Sequence, residues 1–343
     1  MRATFASGCL AVIAEGFDVK ASPTSQRTLR PLGVGEILDR AVTLCVRNFP
    51  LLALTWGAYA VALAVVEYFG TADQTRLYAA LADALQHPSQ GGAFDWTPII
   101  RASQAGQVFN GWTAAYLVLL VLLTPLPYAA LIAALSSLYL GAPTSFGAAY
   151  RAGIGRFLHL LAYNIMWVFC ALFAYVVFVF AMVILVLVLA TLGQAWHLAG
   201  TIFGAVIGTA VVLATLGVAI VASLAYEVGI CTCVIDRRNF AESFTWGLTR
   251  TFTRAGFWRS LLVGLASLAI TIGYVVVSMT GQALLFGFVR SQALGLAYTA
   301  VVSIAGVIFL TAFVTIYYYD LRVRAEGFDL ALGASGAEAA APA

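Results

Sequence analysis

The sequence predicts an all-α integral membrane protein, a six-span helical bundle built from three repeats of an interfacial amphipathic helix plus a transmembrane hairpin. Three observations lead to this prediction. Apolar residues make up 62% of the chain and charged residues 10%, whereas roughly a quarter of the residues in soluble domains are charged. Six apolar stretches are long enough to cross a hydrocarbon core, which takes about 20 residues. Amphipathic segments that carry arginine precede three of these stretches.

The apolar stretches define six spans, which we place at residues 49–69, 113–140, 157–192, 198–226, 260–289 and 293–319. The third span contains neither Gly nor Pro, so we expect one long helix that is tilted or projects beyond the bilayer. Only a few residues follow the third and fifth spans before the next span begins, which predicts two tight hairpins.

The remaining segments are assigned from their polarity. The external loop at residues 70–112 has leucines at helical spacing, which predicts a short amphipathic helix on the outer surface. We expect a disordered leader at residues 1–30, a membrane domain at 31–330 and a disordered tail at 331–343.

Arginine placement predicts the orientation. The chain has 18 Lys and Arg, of which Arg76, Arg101 and Arg290 fall outside if the amino terminus is inside, and this leaves 15 on the cytoplasmic side. Cytoplasmic loops of membrane proteins carry such an excess of basic residues, so both termini are predicted to be cytoplasmic. A single lysine, Lys20, among these basic residues and abundant Ala and Gly are typical of a GC-rich bacterial genome. We therefore predict a multi-pass protein of the bacterial inner membrane.

Each predicted interfacial helix has an apolar stripe at steps of three and four residues. The helices cover residues 34–48, 144–156 and 239–256. Their stripes are Ile37, Ala41 and Leu44, then Phe146, Tyr150 and Ile154, then Phe244, Leu248 and Phe252. An arginine lies near the end of each helix, at Arg47, Arg156 and Arg254. Helices of this kind lie flat in the headgroup layer with the apolar side towards the hydrocarbon.

A short motif occurs after the fourth span and again after the sixth. "DRRNFAESF" (Asp236–Phe244) and "DLRVRAEGF" (Asp320–Phe328) share Asp, Arg, Glu and Phe at the same offsets. The chain thus ends on what resembles the beginning of a fourth unit. Asn239, followed three residues later by Glu242, predicts a helix start of capping-box type.

Two stretches carry a resemblance to a known family. They are "RPLGVGEILDRAVTL" near the start of the chain and "YYYDLRVRAEGFDL" near its end. Over about residues 28–330 the chain resembles the bacterial glycerophosphoryl diester phosphodiesterase membrane-domain family and its uncharacterised relatives. The resemblance implies the fold and the membrane location, and the family name implies a phosphodiesterase partner domain in some members. Because no stretch outside the predicted membrane spans exceeds about fifty residues, a catalytic barrel of about 250 residues has no room here.

Several arginines are candidates for contact with lipid headgroups or a partner. Guanidinium groups bind phosphate in a bidentate manner and gather on the cytoplasmic side of membrane proteins. The candidates are Arg47, Arg156, Arg254, Arg237, Arg238, Arg322 and Arg324. The alternative role for these residues is topological anchoring, which every bacterial membrane protein needs.

Two carboxylates lie in or beside predicted spans, Glu67 and Glu227. Placing a carboxylate within a membrane costs free energy, so such residues are candidates for a functional role. Both lie near span ends, where water can reach them, so a structural role competes with proton or cation coupling. Glu227 is the candidate coupling residue. Asn164, near the start of the third span, is expected to hydrogen-bond between helices rather than to bind a ligand.

Prolines and glycines mark two further features. Pro125 and Pro127 must kink the second span, because each removes a helix hydrogen bond and clashes with the preceding turn. Such a kink opens a cavity for a substrate or only shapes packing. Gly200, Gly204 and Gly208 recur at four-residue steps, which lets another helix approach closely, either within the chain or in a homo-oligomer.

The sequence offers no grouping of residues for catalysis. It has no HExxH, GxSxG, CxxC or phosphate-binding glycine loop, and Cys231 with Cys233 has no further ligand nearby for a metal. We therefore predict a protein that is not an enzyme, that has no cofactor and no nucleic-acid partner, and whose partners are membrane lipids, including anionic ones, or other membrane proteins. The leading function is a scaffold or accessory in lipid or cell-envelope processes. The alternative is a transporter or lipid flippase that uses the kinked second span and Glu227, and a membrane-embedded hydrolase comes third.

Overall fold

The computed structural model describes residues 30–70, 97, 115–116, 118–289 and 291–326. All regular secondary structure in these residues is helical. The helices are α1 (Val34–Gly70), α2 (Pro125–Tyr139), α3 (Phe146–Ile154), α4 (Phe157–Ile235), α5 (Phe240–Phe252), α6 (Arg254–Val289) and α7 (Gln292–Glu326). The predicted leader, external loop and tail lie almost entirely outside the described residues.

Six helical segments are long and apolar enough to cross a membrane. They are Val34–Phe69, Leu119–Tyr139, Phe157–Ile184, Val206–Ile235, Gly256–Leu285 and Ala293–Ala325. Large apolar side chains of the third segment, among them Phe169, Phe173 and Phe180, are exposed, as expected for a helix surrounded by lipid rather than water. The prediction of an all-helical chain with six segments suited to a multi-pass membrane protein is thereby confirmed.

Helix α4 contains the third and fourth spans and folds back on itself. Helical structure runs from Phe157 to Ile235, yet the Tyr163 hydroxyl donates to the Tyr226 carbonyl at 2.9 Å. A straight helix rises about 1.5 Å per residue and would separate these two residues by roughly 95 Å. The chain therefore reverses direction between Tyr163 and Tyr226, and the two spans lie side by side where these residues meet.

Helix α1 is broken near its middle. Asn48 has non-helical torsion angles, φ −120° and ψ 17°, and Pro50 follows two residues later. Proline has no N–H to donate and its ring clashes with the preceding helical turn, which accounts for a break just ahead of Pro50. The Asn48 side-chain amide donates to the Leu44 carbonyl at 3.0 Å, within the helical turn before the break.

The second span is also irregular. A π-helical turn, Leu119–Leu123, leads into α2, which begins at Pro125. Because Pro125 and Pro127 lie in the first turn of α2, their missing N–H groups need no intrahelical partner. The Tyr59 hydroxyl donates to the Leu119 carbonyl at 3.2 Å and also contacts the Thr124 hydroxyl. Tyr59 therefore stabilises the irregular turn from the neighbouring span.

The two short helices, α3 and α5, begin with side-chain caps. The Ser145 hydroxyl accepts from the Ala148 N–H at 3.3 Å. The Asn239 side chain accepts from the Glu242 N–H at 2.8 Å, in the position where an N-cap residue satisfies one of the free donors of the first turn. The helix start predicted at Asn239 is therefore present.

The buried faces of these short helices are not the predicted apolar stripes. In α5 the buried residues are Ser243, Trp246, Gly247 and Thr251, and in α3 they are Ala149 and Gly153. Of the predicted stripes, Phe252 and Ile154 are exposed and the others are half-buried. Small side chains allow the backbones of two helices to approach closely, which explains why the face that carries the small residues packs against the protein, with Trp246 beside them in α5. In α1 the predicted stripe of Ile37, Ala41 and Leu44 is itself buried inside the protein.

The chain divides into two compact units. The first comprises residues 1–37, 156–268 and 314–343, and the second comprises residues 38–155 and 269–313. The second unit contains the irregular second span and α3, where a Cβ on Gly153 would lie 3.2 Å from the Leu126 carbonyl oxygen. The first unit contains α5 and most of the charged residues discussed below.

Candidate functional site

Asp320, near the end of α7, is the centre of a buried group of charges in the first unit. Its side chain has no solvent exposure. One carboxylate oxygen accepts from the Leu32 backbone N–H at 2.7 Å, and the other accepts from the Arg259 guanidinium at 2.6 Å. Arg324, one helical turn later, donates its Nε to both oxygens at 3.1 Å. Burying a carboxylate away from water is costly unless it is paired and hydrogen-bonded, and these donors provide both.

The same two arginines, Arg259 and Arg324, also bind the backbone carbonyl of Leu32. The Leu32 carbonyl accepts from Arg259 at 2.6 Å and from Arg324 at 3.1 Å, and its side chain is 2% exposed. The N–H and the C=O of this residue are therefore both bound by side chains of α6 and α7. We call Asp320, Arg259 and Arg324 the main-chain clamp.

Asp236, at the end of α4, forms a second buried ion pair. Its carboxylate accepts from Arg322 at 2.8 Å, with 7% of the Arg322 side chain and 1% of the Asp236 side chain exposed. Arg238 lies farther away, with Nε 3.7 Å from the second carboxylate oxygen. One ion pair thus joins the two copies of the repeated motif, because Arg322 of the second copy binds Asp236 of the first.

Aromatic rings surround this ion pair. Trp246 of α5 is buried and packs on Tyr318, with ring centroids 5.5 Å apart. The guanidinium groups of Arg238 and Arg250 lie over the same indole ring at 6.0 and 5.8 Å from its centroid. Cations at this distance from a tryptophan face are attracted by its π electrons. Trp246 therefore joins α5 to α7 and also holds two arginines in place.

A second aromatic group joins the third span, the fourth span and α5. Tyr163 stacks on Tyr226 at 5.8 Å, and Trp167 contacts Tyr226 at 5.7 Å and Phe244 at 5.3 Å. The Tyr226 hydroxyl donates to the Asn164 side-chain carbonyl at 3.0 Å. Asn164 thus makes the interhelical hydrogen bond expected for it.

The structure separates the predicted arginines by environment. Arg322, Arg324 and Arg238 lie against carboxylates of the protein, so Arg322, which is buried, has little surface left for a headgroup. Arg156 donates to the Arg237 carbonyl. Arg47 and Arg237 are exposed, and the side chain of Arg254 lies outside what the structure describes.

The other predicted residues are less informative. Glu227 is half-buried and interacts with other residues of the chain, as does Glu67. Gly208 is half-buried, whereas the surroundings of Gly200 and Gly204 lie outside the description. Within the residues described, no three His, Cys, Asp or Glu side chains come together in a way that could hold a metal ion.

Two of the groups that bind Asp320 were not predicted from the sequence, namely Arg259 and the backbone of Leu32. The repeated motif was a usable signal, because it singled out Asp320 together with Asp236. It did not show that Asp320 pairs with an arginine on α6 and with a backbone 288 positions earlier. Contacts at such sequence separation depend on the tertiary fold.

Comparison with known proteins adds no assignment. The chain matches no protein-family model, and no curated protein or solved structure is detectably similar to it.

Proposed function

We propose that this chain is a non-catalytic protein of the bacterial inner membrane, a scaffold or accessory in lipid or cell-envelope processes, with both termini cytoplasmic. We also propose that the chain is related to the glycerophosphoryl diester phosphodiesterase membrane-domain family, because the two stretches near its ends resemble that family. The main-chain clamp is the observation that carries the proposal. In it, Asp320 binds Arg259 and Arg324, and all three side chains bind the Leu32 backbone, which is the work of a structural element.

Close helix packing in the first unit supports the same function. A Cβ on Gly247 of α5 would lie 2.6 Å from the Ala225 carbonyl oxygen, and one on Gly229 would overlap the Tyr163 hydroxyl. Backbones that approach this closely leave no passage for a solute at that contact. Scaffolding requires such a rigid arrangement, whereas transport requires two arrangements that exchange.

The first test concerns the arginines near the ends of the three predicted interfacial helices. Replacing Arg47, Arg156 and Arg254 together with alanine is expected to reduce the anionic lipid that remains on the purified protein, because each guanidinium that binds a headgroup phosphate contributes a charge-assisted hydrogen bond. The measurement is the ratio of phosphatidylglycerol to phosphatidylethanolamine extracted from equal amounts of wild-type and variant protein. An unchanged ratio would count against an engagement of anionic lipid.

Transport is the second candidate function, favoured by one observation, the irregular second span at Leu119–Leu123 and Pro125. Irregular backbone at membrane depth often lines a pathway. A scaffold is expected to leave lipid translocation in proteoliposomes at the rate of protein-free vesicles, for the wild type and for Glu227→Gln alike. Translocation by the wild type that collapses in Glu227→Gln would replace the scaffold with a transporter or flippase.

A further inference from the structure

The turn between α4 and α5 contains a strained arginine. Arg237 has φ 53°, the one positive φ at a non-glycine residue in the part of the chain that the structure describes. Glycine or asparagine usually occupies this position after a helix end, because the left-handed conformation crowds a Cβ. The Asp236–Arg322 ion pair before it and the Asn239 cap after it hold the turn. A residue kept in such a conformation by its surroundings is a reason to look for a function.

Arg156 also contacts this turn. It directly precedes α4, and its guanidinium donates to the Arg237 carbonyl. Burial lowers the pKa of Arg156, and the charge of Arg237 also lowers it. No ion pair of the described residues includes Arg156 or Arg237, and the neighbouring Asp236 binds Arg322. Among the described residues, these two cations therefore share one turn without a carboxylate as counter-ion.

The position of the turn indicates which anion fits. Arg156 immediately precedes the third spanning segment, Phe157–Ile184, and Arg237 follows the fourth, Val206–Ile235, by two residues. Residues at the ends of spanning helices lie at the depth of the lipid headgroups. Helix α5 begins at Phe240, three residues after Arg237, and the amino-terminal end of a helix favours an anion.

We propose that Arg156, Arg237 and the first turn of α5 form a binding site for a phosphate group, supplied by the headgroup of an anionic phospholipid. The proposal rests on the proposed function and narrows it, because it assigns the lipid contact to one turn rather than to all the predicted arginines. Arg322 and Arg324 are excluded from this site, because they bind Asp236 and Asp320. The bound phosphate would neutralise the two cations and stabilise the strained turn.

The test uses Arg237→Gly in the full-length protein. Glycine adopts φ 53° without crowding, so this variant removes the cation while keeping the turn, and it is expected to fold at least as well as the wild type. In detergent, phosphatidylglycerol is titrated against phosphatidylcholine, and the rise in unfolding temperature gives the affinity. We expect Arg237→Gly and Arg156→Ala to bind phosphatidylglycerol roughly tenfold or more weakly, as for the loss of a hydrogen bond between charged groups.

Arg151→Ala is the matched control, because Arg151 is an exposed arginine at the end of α3 with no role in the turn. Wild-type affinity in Arg237→Gly, or an equal loss in Arg151→Ala, would overturn the site while leaving the proposed function in place. A wild type whose unfolding temperature responds equally to the two lipids and is unaffected by inorganic phosphate would defeat both. Inorganic phosphate that raises the unfolding temperature of the wild type but not of Arg237→Gly, with no effect of phosphatidylglycerol, would keep the site and overturn the lipid as its source.

Discussion

Replacing Asp320 with alanine is expected to lower the free energy of unfolding by about 3–5 kcal/mol, the usual cost of removing one partner from a buried ion pair. The Asp320 side chain is fully buried and accepts from the Leu32 N–H, Arg259 and Arg324. Its removal leaves two guanidinium groups without their carboxylate and an N–H group without its acceptor. We also expect the backbone around Leu32 to become accessible to protease.

The measurement is chemical unfolding of the purified protein in detergent, followed by limited proteolysis ahead of α1. Arg30→Ala is the control, because the Arg30–Glu36 pair is exposed, with 60% of the Arg30 side chain accessible, and exposed pairs contribute about 1 kcal/mol or less. Asp320→Asn keeps the shape and one acceptor and should fall between the two. If Asp320→Ala unfolds with the same free energy as Arg30→Ala, the main-chain clamp does not stabilise the fold.

Substituting Gly247 with alanine is expected to cost about 1–3 kcal/mol, the range for a side chain forced into a well-packed site. The new Cβ would lie 2.6 Å from the Ala225 carbonyl oxygen and 3.4 Å from the Gly229 Cα. Both are backbone atoms, so no side-chain rotation relieves the contact. Helix α5 must move away from the fourth span, and the Trp246–Tyr318 contact is lost with it.

Gly217→Ala provides the control for this substitution. Gly217 lies on the same helix as Gly229, and its Cβ would meet Leu261 at an ordinary contact distance of 3.9 Å. Alanine is favoured over glycine within a helix by up to about 1 kcal/mol, so this variant should be neutral or more stable. Thermal unfolding of both variants in detergent, with Trp fluorescence as the signal, decides the question. Equal unfolding temperatures would show that α5 is not packed as closely as the structure places it.

Much of the architecture follows from local features of the chain. Six apolar segments of sufficient length predict six spans, since bilayer thickness alone sets the requirement. Asn239 with Glu242 three residues later predicts the start of α5, because capping involves only neighbours in sequence. Pro50 and Pro125 mark places where regular α-helix is interrupted, for the equally local reason that proline lacks an N–H.

The candidate site was only partly predictable. Its arginines were identified from composition and position, yet composition treats Arg237 and Arg322 alike. One is exposed on a strained turn and the other is buried against Asp236. The difference depends on whether the fold brings a carboxylate next to each side chain, and no short sequence pattern shows this.

The sequence by itself determined that this protein is helical, that six of its segments are long and apolar enough to cross a membrane, and where several helices begin or break, because these properties depend on hydrophobic length and on neighbouring residues. Only the tertiary structure decided that the small-residue face of α5 packs inward, that Arg322 crosses to Asp236, and that Asp320 holds the backbone of Leu32. These contacts join residues far apart in the chain, and their geometry depends on how closely whole helices approach one another.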